Sequence, residues 1–144
     1  MFPCMGDKLK PREQGDLGEL SAVQWVASNG YSVFIPFGHS RDVDLVGVRD
    51  GEILRVQVKT STFRRNGRWD VAVCTRGGNQ SWNGIVKRFA ADRCDRLFVL
   101  TGDGRRWMIP ADAVEGGTHI VLGGPKYAEF EVEPGSPILL AALG

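Results

Sequence analysis

The sequence predicts an α/β fold: a mixed β-sheet flanked by helices, in a single domain. Three observations carry this expectation. An early segment repeats its apolar residues at helical spacing, two alternating segments meet at an Asp-Gly dipeptide, and short apolar runs punctuated by glycine follow. A helix, then several strands, then mixed elements is the order of a sheet with helical cover. At 144 residues the chain has the length of one domain with a real core.

Residues 1–12 read as a loose polar leader, 13–134 as the domain and 135–144 as a C-terminal tail. Asp16 has the chemistry of an N-cap, and Leu17 to Ser28 reads as a helix closed by Asn29-Gly30. Its expected apolar stripe is Leu20, Val23, Val26 and Ala27. Tyr31 to Ile35 reads as a strand and Pro36 to Ser40 as a loop. Residues 42–49 and 52–60 form a hairpin. Phe63 to Gly67 reads as a basic turn, Trp69 to Thr75 as a strand, Arg76 to Asn83 as a loop, and Ile85 to Ala91 as a short helix. Arg96 to Thr101 is an apolar strand that turns at Gly102-Asp103-Gly104 into Arg106 to Ile109. Pro110 to Val114 starts a short helix, and 118–122 and 127–132 are late strands.

The hairpin turns a spacing into a geometry. Asp50-Gly51 suits a two-residue type I′ turn, because both central residues must take positive φ. With that loop Arg49 lies opposite Glu52, Asp44 opposite Gln57, and Asp42 opposite Lys59. Directly opposed side chains share a face, with Cβ atoms about 5 Å apart. One face then holds Val43 with Val58, Leu45 with Val56 and Gly47 with Leu54, ready to pack on a core. The other face collects carboxylates, an amide and an ammonium at one end.

The net charge is only +1, but it is unevenly spread: twelve of the eighteen Lys/Arg and four of the seventeen Asp/Glu lie between Arg55 and Arg106. A basic centre beside an acidic cluster suits a polyanion held next to a metal, or a solvated, salt-bridged surface. No apolar run approaches the roughly 20 residues a membrane-spanning helix needs, so no membrane partner is expected. The three cysteines, Cys4, Cys74 and Cys94, fit neither a zinc pattern nor a disulfide framework; a reducing cytoplasm is the simplest compartment.

Asp44 interrupts a Val-Leu-Val strand although Asp is disfavoured there. Glu19 fits the capping box Asp16-Leu17-Gly18-Glu19, and it also borders the helix face turned to the core, where a carboxylate needs a partner or a cation. Gln57 opposite Asp44 reads as an amide ligand or a group that orients water. Lys59 reads either as a snorkelling surface lysine or as a cation beside a phosphate oxyanion. Asp42 is peripheral, or the partner of Lys59. Mg²⁺ takes oxygen ligands, usually one or two carboxylates completed by water and phosphate. Asp44, Glu19, Gln57 and the Val58 backbone carbonyl are the donors this sequence offers. No Cys/His cluster, nucleophile elbow or Walker loop competes with them.

Glu19, Asp44 and Gln57-Val58-Lys59 resemble the PD-(D/E)XK nuclease superfamily, with Gln in place of the last acidic residue. Gly15-Asp16-Leu17-Gly18-Glu19, Asn29-Gly30-Tyr31, Ile35-Pro36-Phe37-Gly38 and Leu54 to Thr60 resemble its group I intron-associated, homing-type branch, in which Gln takes the same place. The likeness extends to 95–114 and, more weakly, to 127–134. It implies a restriction-endonuclease-like core, hydrolysis of DNA phosphodiesters dependent on Mg²⁺ (with Mn²⁺ able to substitute), and a catalytic set of Glu19, Asp44, Gln57 and Lys59. The chain departs from the pattern in three places: no Pro precedes Asp44, neutral Gln57 favours a site dominated by one metal, and the glycine- and Trp-containing segment Arg76 to Asn83 does not align with it. Holliday-junction resolvases share a similar Glu, Asp and Lys arrangement, and Ser40 stands near their Ser. A branched-DNA resolvase, or a non-catalytic DNA-binding module with a degenerate nuclease core, is therefore kept beside the endonuclease reading.

For DNA contacts the sequence offers Arg64, Arg65, Arg68, Arg76, Lys87 and Arg88, with Ser61 counted among them. Trp69 and Trp82 read as core or interface aromatics, and His39 as a loop residue. One small subunit that cuts both strands of a duplex needs a second copy, so a homodimer or higher symmetric oligomer is expected.

Overall fold

The computed structural model describes residues 9–38, 42–76 and 86–138, with backbone only at 75–76 and 86–87. The leader to residue 8, His39, Ser40, the loop from 77 that holds Trp82, and the tail from 139 lie outside the described residues. One long helix, α1 (Pro11–Ser28), precedes β1 (Ser32–Phe34), β2 (Leu45–Arg49) and β3 (Glu52–Ser61). Then come β4 (Arg64–Arg65), β5 (Arg68–Ala72), β6 (Thr75–Arg76), β7 (Val86–Lys87), β8 (Arg96–Thr101), β9 (Arg106–Pro110), β10 (His119–Leu122) and β11 (Glu131–Val132).

The central sheet has six strands in the order β1-β2-β3-β8-β9-β11. Only β3 and β8 run parallel; the other neighbours are antiparallel, so the sheet is mixed. A three-stranded sheet, β10-β5-β4, packs on one face. Helix α1 covers the other, with Ala22 and Val26 against Leu45, Val56, Phe98 and Leu100. The fold is the expected α/β class. Among the described residues the second face is covered by a sheet and not by helices: Trp69, Val71, Val73, Ile120 and Leu122 meet Leu97, Val99, Trp107 and Ile109 there. Alternation along β8 sends Leu97 and Val99 to one core and Phe98 and Leu100 to the other. No helix of the described residues is long and apolar enough to cross a membrane.

Helix α1 starts earlier than the sequence reading had it. Pro11 occupies the first helical position, where its missing N–H costs nothing, and the Glu13 carboxylate accepts the Lys10 amide at 3.1 Å. Asp16 is thus an interior residue and the Asp16–Glu19 capping box does not form. The buried stripe is Gly18, Ala22 and Val26, while Leu20 is 65% exposed. Small residues face the sheet because the helix lies close to it: a Cβ at Gly18 would collide with Cγ2 of Thr60 on β3.

Three further elements differ. Residues 63–67 are not a plain turn but part of a second hairpin, β4–β5, closed by Asn66-Gly67 with φ of 52° and 75°. Val86 and Lys87 form a strand against β6 where a helix was expected. Residues 128–130 form a 3-10 turn before β11, and the short helix at 111–113 is likewise 3-10. Ile138, read as part of a tail, is buried in the α1 core and its amide donates to Gly102.

Candidate active site

The β2–β3 hairpin has the predicted loop. Asp50 and Gly51 take φ of 49° and 80°, and the ladder pairs Arg49 with Glu52, Gly47 with Leu54 and Leu45 with Val56. The ladder stops there. Asp44 does not pair with Gln57: its amide donates at 2.8 Å to the carbonyl of Val56, the residue already matched to Leu45, so the register slips by one. The expected cross-strand pairs Val43–Val58 and Asp42–Lys59 are lost with it.

The slip creates the site. Strand β3 runs on to Ser61 while β2 has ended, which leaves the β2 side of Val58 without a strand partner. The Asp44 carboxylate fills part of that edge, with Oδ2 accepting the Val58 amide proton at 2.7 Å. In an extended strand a residue's amide and carbonyl point to the same side, so the Val58 carbonyl faces the same edge. Asp44 interacts electrostatically with groups from both faces of the sheet. On the α1 side lies Glu19, whose place follows from the close seat of Gly18 on Thr60. On the other lies Lys59, whose charge acts on Asp44.

Burial raises the Asp44 carboxyl above its ordinary pKa, against the lowering pull of the Val58 amide and of Lys59. Glu19 is raised as well, by burial first and then by the negative charges of Asp44 and Asp16. The negative charge of Asp44 raises exposed Glu19, a repulsion that a cation beside Asp44 would relieve.

Gln57 and Lys59 point away from α1, toward the second core. Gln57 is 5% exposed and lines a small crevice with Asp42, Val73, Arg88, Phe89, Ala90 and Arg93. Among the described residues Asp42 pairs with Arg93, with Nη1 3.7 Å from Oδ1, and the expected pair with Lys59 does not form. The sequence reading gave Arg93 no role; its place beside the basic run was the available signal.

Arg64, Arg65 and Arg68 lie on the exposed β4–β5 hairpin beyond the end of β3. Arg64 stacks over the buried Trp69 ring at 4.6 Å, and Arg65 pairs with Asp70 at 3.5 Å. Exposed Arg88 donates to the Gly116 carbonyl at 3.4 Å. Ser61 is buried, with its hydroxyl donating to the Asp70 carbonyl at 2.5 Å and accepting the Phe63 amide at 3.2 Å, so it joins β3 to β5 and presents no group to a ligand. The side chains of Arg76 and Lys87 lie outside the described residues.

The model of the PD-(D/E)XK endonuclease family matches residues 9–126. The chain belongs to this endonuclease family. Its fold is also that of a bacterial homing endonuclease, I-Ssp6803I, with a TM-score of 0.73 at 22% sequence identity, over 83% of this chain and 87% of that one. No curated protein matches the chain. The matched span begins just before α1 and covers every residue of the candidate site. A larger concavity, of about 680 Å³, runs between α1 and residues 133–138 and contains none of these residues. Its buried charge, Arg106, is spent on the Glu133 carbonyl at 2.7 Å and the Gln24 side chain at 2.6 Å. The sequence-predicted residues Asp44 and Val58 meet at the strand edge and not in this concavity.

Proposed function

We propose that this PD-(D/E)XK chain is a divalent-metal-dependent DNA endonuclease whose centre is Glu19, Asp44, Gln57, Lys59 and the Val58 carbonyl. One observation carries the reading: the Val58 amide seats Asp44 on the edge of β3 beyond the end of β2, where the charge of Lys59 acts on it and its own charge acts on Glu19. The oxygen donors there suit Mg²⁺ or Mn²⁺, and the raised carboxyls of Asp44 and Glu19 are groups a cation would stabilise in the ionised form. When bound, the ion supplies Lewis-acid polarisation of the scissile phosphodiester.

The chain's own residues supply the rest. Asp44 and Glu19 would hold the ion, with Gln57 and the Val58 carbonyl as neutral donors. The Gln57 amide accepts from and donates to a water at the phosphorus. Lys59 offsets the negative charge that develops on the phosphate oxygens. Arg64, Arg65 and Arg68 on the β4–β5 hairpin, with Arg88, neutralise backbone phosphates on either side. The homing endonuclease of similar fold supports DNA as the substrate. Cutting both strands calls for a homodimer or a higher symmetric assembly.

The test is a panel of linear, supercoiled, flapped and four-way DNA incubated with Mg²⁺ or Mn²⁺. Cleavage that disappears in Asp44→Ala and Lys59→Ala supports the reading, and preference for four-way DNA would make the chain a resolvase. A second reading rests on neutral Gln57, which stands where the family pattern has its last acidic residue. If folded protein binds DNA but cuts none of these forms, the chain is a non-catalytic DNA-binding module.

A further inference from the structure

Arg93 lies in the turn before β8, where its amide donates to the Ala90 carbonyl at 3.3 Å. Its guanidinium reaches across to Asp42, and the two side chains are 34% and 28% exposed. The same crevice is lined by Gln57, which belongs to the proposed catalytic centre, and by Arg88. An arginine therefore lines the same crevice as the Gln57 amide, on a segment unrelated to the β4–β5 hairpin. A guanidinium has five N–H donors in a fixed fork, and among the described residues the Arg93 fork has one ionic contact, at 3.7 Å. A partly exposed ion pair of this length gives little by itself, and it opens or shares readily when a phosphate offers two charged oxygens in bidentate geometry.

We propose that Arg93 binds a DNA backbone phosphate adjoining the cleaved position, and that Asp42 is a positioning residue that holds this guanidinium over the site and is not a ligand of the cation. The proposal rests on the endonuclease reading. It gives the two aspartates of Asp42-Val43-Asp44 different roles, since Asp44 faces the strand edge and the cation while Asp42 faces the arginine. It also places phosphate contacts on both sides of the centre, with Arg93 at the Gln57 side and the β4–β5 arginines beyond Lys59.

Duplex binding measured across a salt series tests it, because a lost phosphate contact changes the slope and a lost structural ion pair does not. Arg93→Ala is expected to weaken duplex binding about 10-fold and to reduce the slope of log K against log[salt] by about 0.9. In cleavage assays KM rises while kcat stays within about 3-fold of wild type. Arg93→Lys keeps the slope. Arg93→Gln, which retains the apolar stem, repeats the Arg93→Ala result if the alanine variant folds poorly. Calorimetric titration with Mn²⁺ alone is expected to give Asp42→Asn an affinity within about 2-fold of wild type, while Asp44→Ala loses it. A salt slope and KM unchanged in both Arg93→Ala and Arg93→Gln overturn the proposal, as does loss of Mn²⁺ affinity in Asp42→Asn. Wild-type protein that neither binds nor cuts DNA overturns the endonuclease reading and this proposal together; wild-type cleavage with an unchanged Arg93→Ala slope overturns this proposal alone.

Discussion

The Asp44 carboxylate accepts the Val58 amide proton at 2.7 Å, while the Asp44 amide donates to Val56 at 2.8 Å. One residue thus ends a strand pairing with its backbone and continues it with its side chain. The two jobs of the side chain, acceptor and anion, separate by substitution. Asp44→Asn retains an oxygen for the Val58 amide and removes a charge that burial disfavours. It is expected to melt at a higher temperature than wild type in EDTA, and to lose cleavage by on the order of 10³-fold. Asp44→Ala is expected to lose cleavage and to melt lower, because the Val58 amide is orphaned at a cost of about 1–3 kcal/mol. Thermal melts of the three proteins in EDTA check this, and an asparagine variant that melts like the alanine variant refutes it.

The carboxyl pair also sets a pH dependence of unusual sign. Glu19 and Asp44 are both raised in the fold, so above the ordinary carboxylate pKa of about 4 these two groups hold more protons in the folded chain than in the unfolded one. Their contribution to stability is complete below the unfolded values and is lost as pH climbs through the raised ones. Asp95 and Glu131 run the other way. Burial pushes Asp95 up, but the Arg55 hydrogen bonds hold it low; Glu131 is held low by its hydrogen bonds to Arg105. Their contribution is lost as pH falls through the lowered values. The expected result is a difference: wild type minus Glu19→Gln/Asp44→Asn in EDTA shows stability declining as pH rises from about 4. Urea titrations at several pH values measure it, and a flat difference would show that the two carboxyls are not raised.

Most of the β2–β3 hairpin was legible in the sequence because Asp50-Gly51 has one good use and its flanks alternate cleanly. Its last rung was not. Whether Asp44 pairs squarely with Gln57 or slips depends on the carboxylate's competition for the Val58 amide, a contact between residues fourteen apart that alternation cannot express. The start of α1 carried a readable signal, Pro11 with Glu13 behind it, which the better-known capping pattern at Asp16 obscured. Asn66-Gly67 was likewise a hairpin signal hidden within a run of arginines. The sheet on the second face was harder to read, since its paired strands β5 and β10 are separated in the chain by β6, β7, β8 and β9.

Glycine 18 offers a test of how Glu19 is placed. A Cβ there would overlap Thr60 Cγ2. Gly18→Ala is expected to destabilise the fold by about 1–3 kcal/mol through overpacking, and to lower cleavage by displacing Glu19. Thr60→Ser removes the offending methyl and is expected to restore most of both losses in the double variant. A double-mutant cycle on stability and rate reads the coupling, and additive effects would show that the two residues do not set the helix position.

Arg106 is the other buried charge of consequence. It is 4% exposed, burial lowers its pKa, and it ties α1 to the C-terminal segment through Ser21, Gln24, Glu133 and Pro134. Arg106→Ala is expected to cost about 3 kcal/mol, since several oxygens lose their donor at once. Arg106→Lys is expected to recover little of this, because one ammonium cannot span the same acceptors. Urea denaturation gives the cost. Mn²⁺ affinity should be unchanged in whatever fraction remains folded, since the groove lies apart from the strand edge.

Strand β3 is written in two interleaved hands. Its even-numbered residues Val56, Val58 and Thr60 seat the helix, and its odd-numbered residues Gln57, Lys59 and Ser61 face the second sheet. One residue inserted or deleted between Gln57 and Ser61 would exchange the two sets, sending Lys59 under the helix and a valine into the centre. The same change at Asp50-Gly51 would disturb only a remote tip. Lineages of this chain should therefore vary in length at the tip of the first hairpin and hold the count of residues from Gln57 to Ser61 constant.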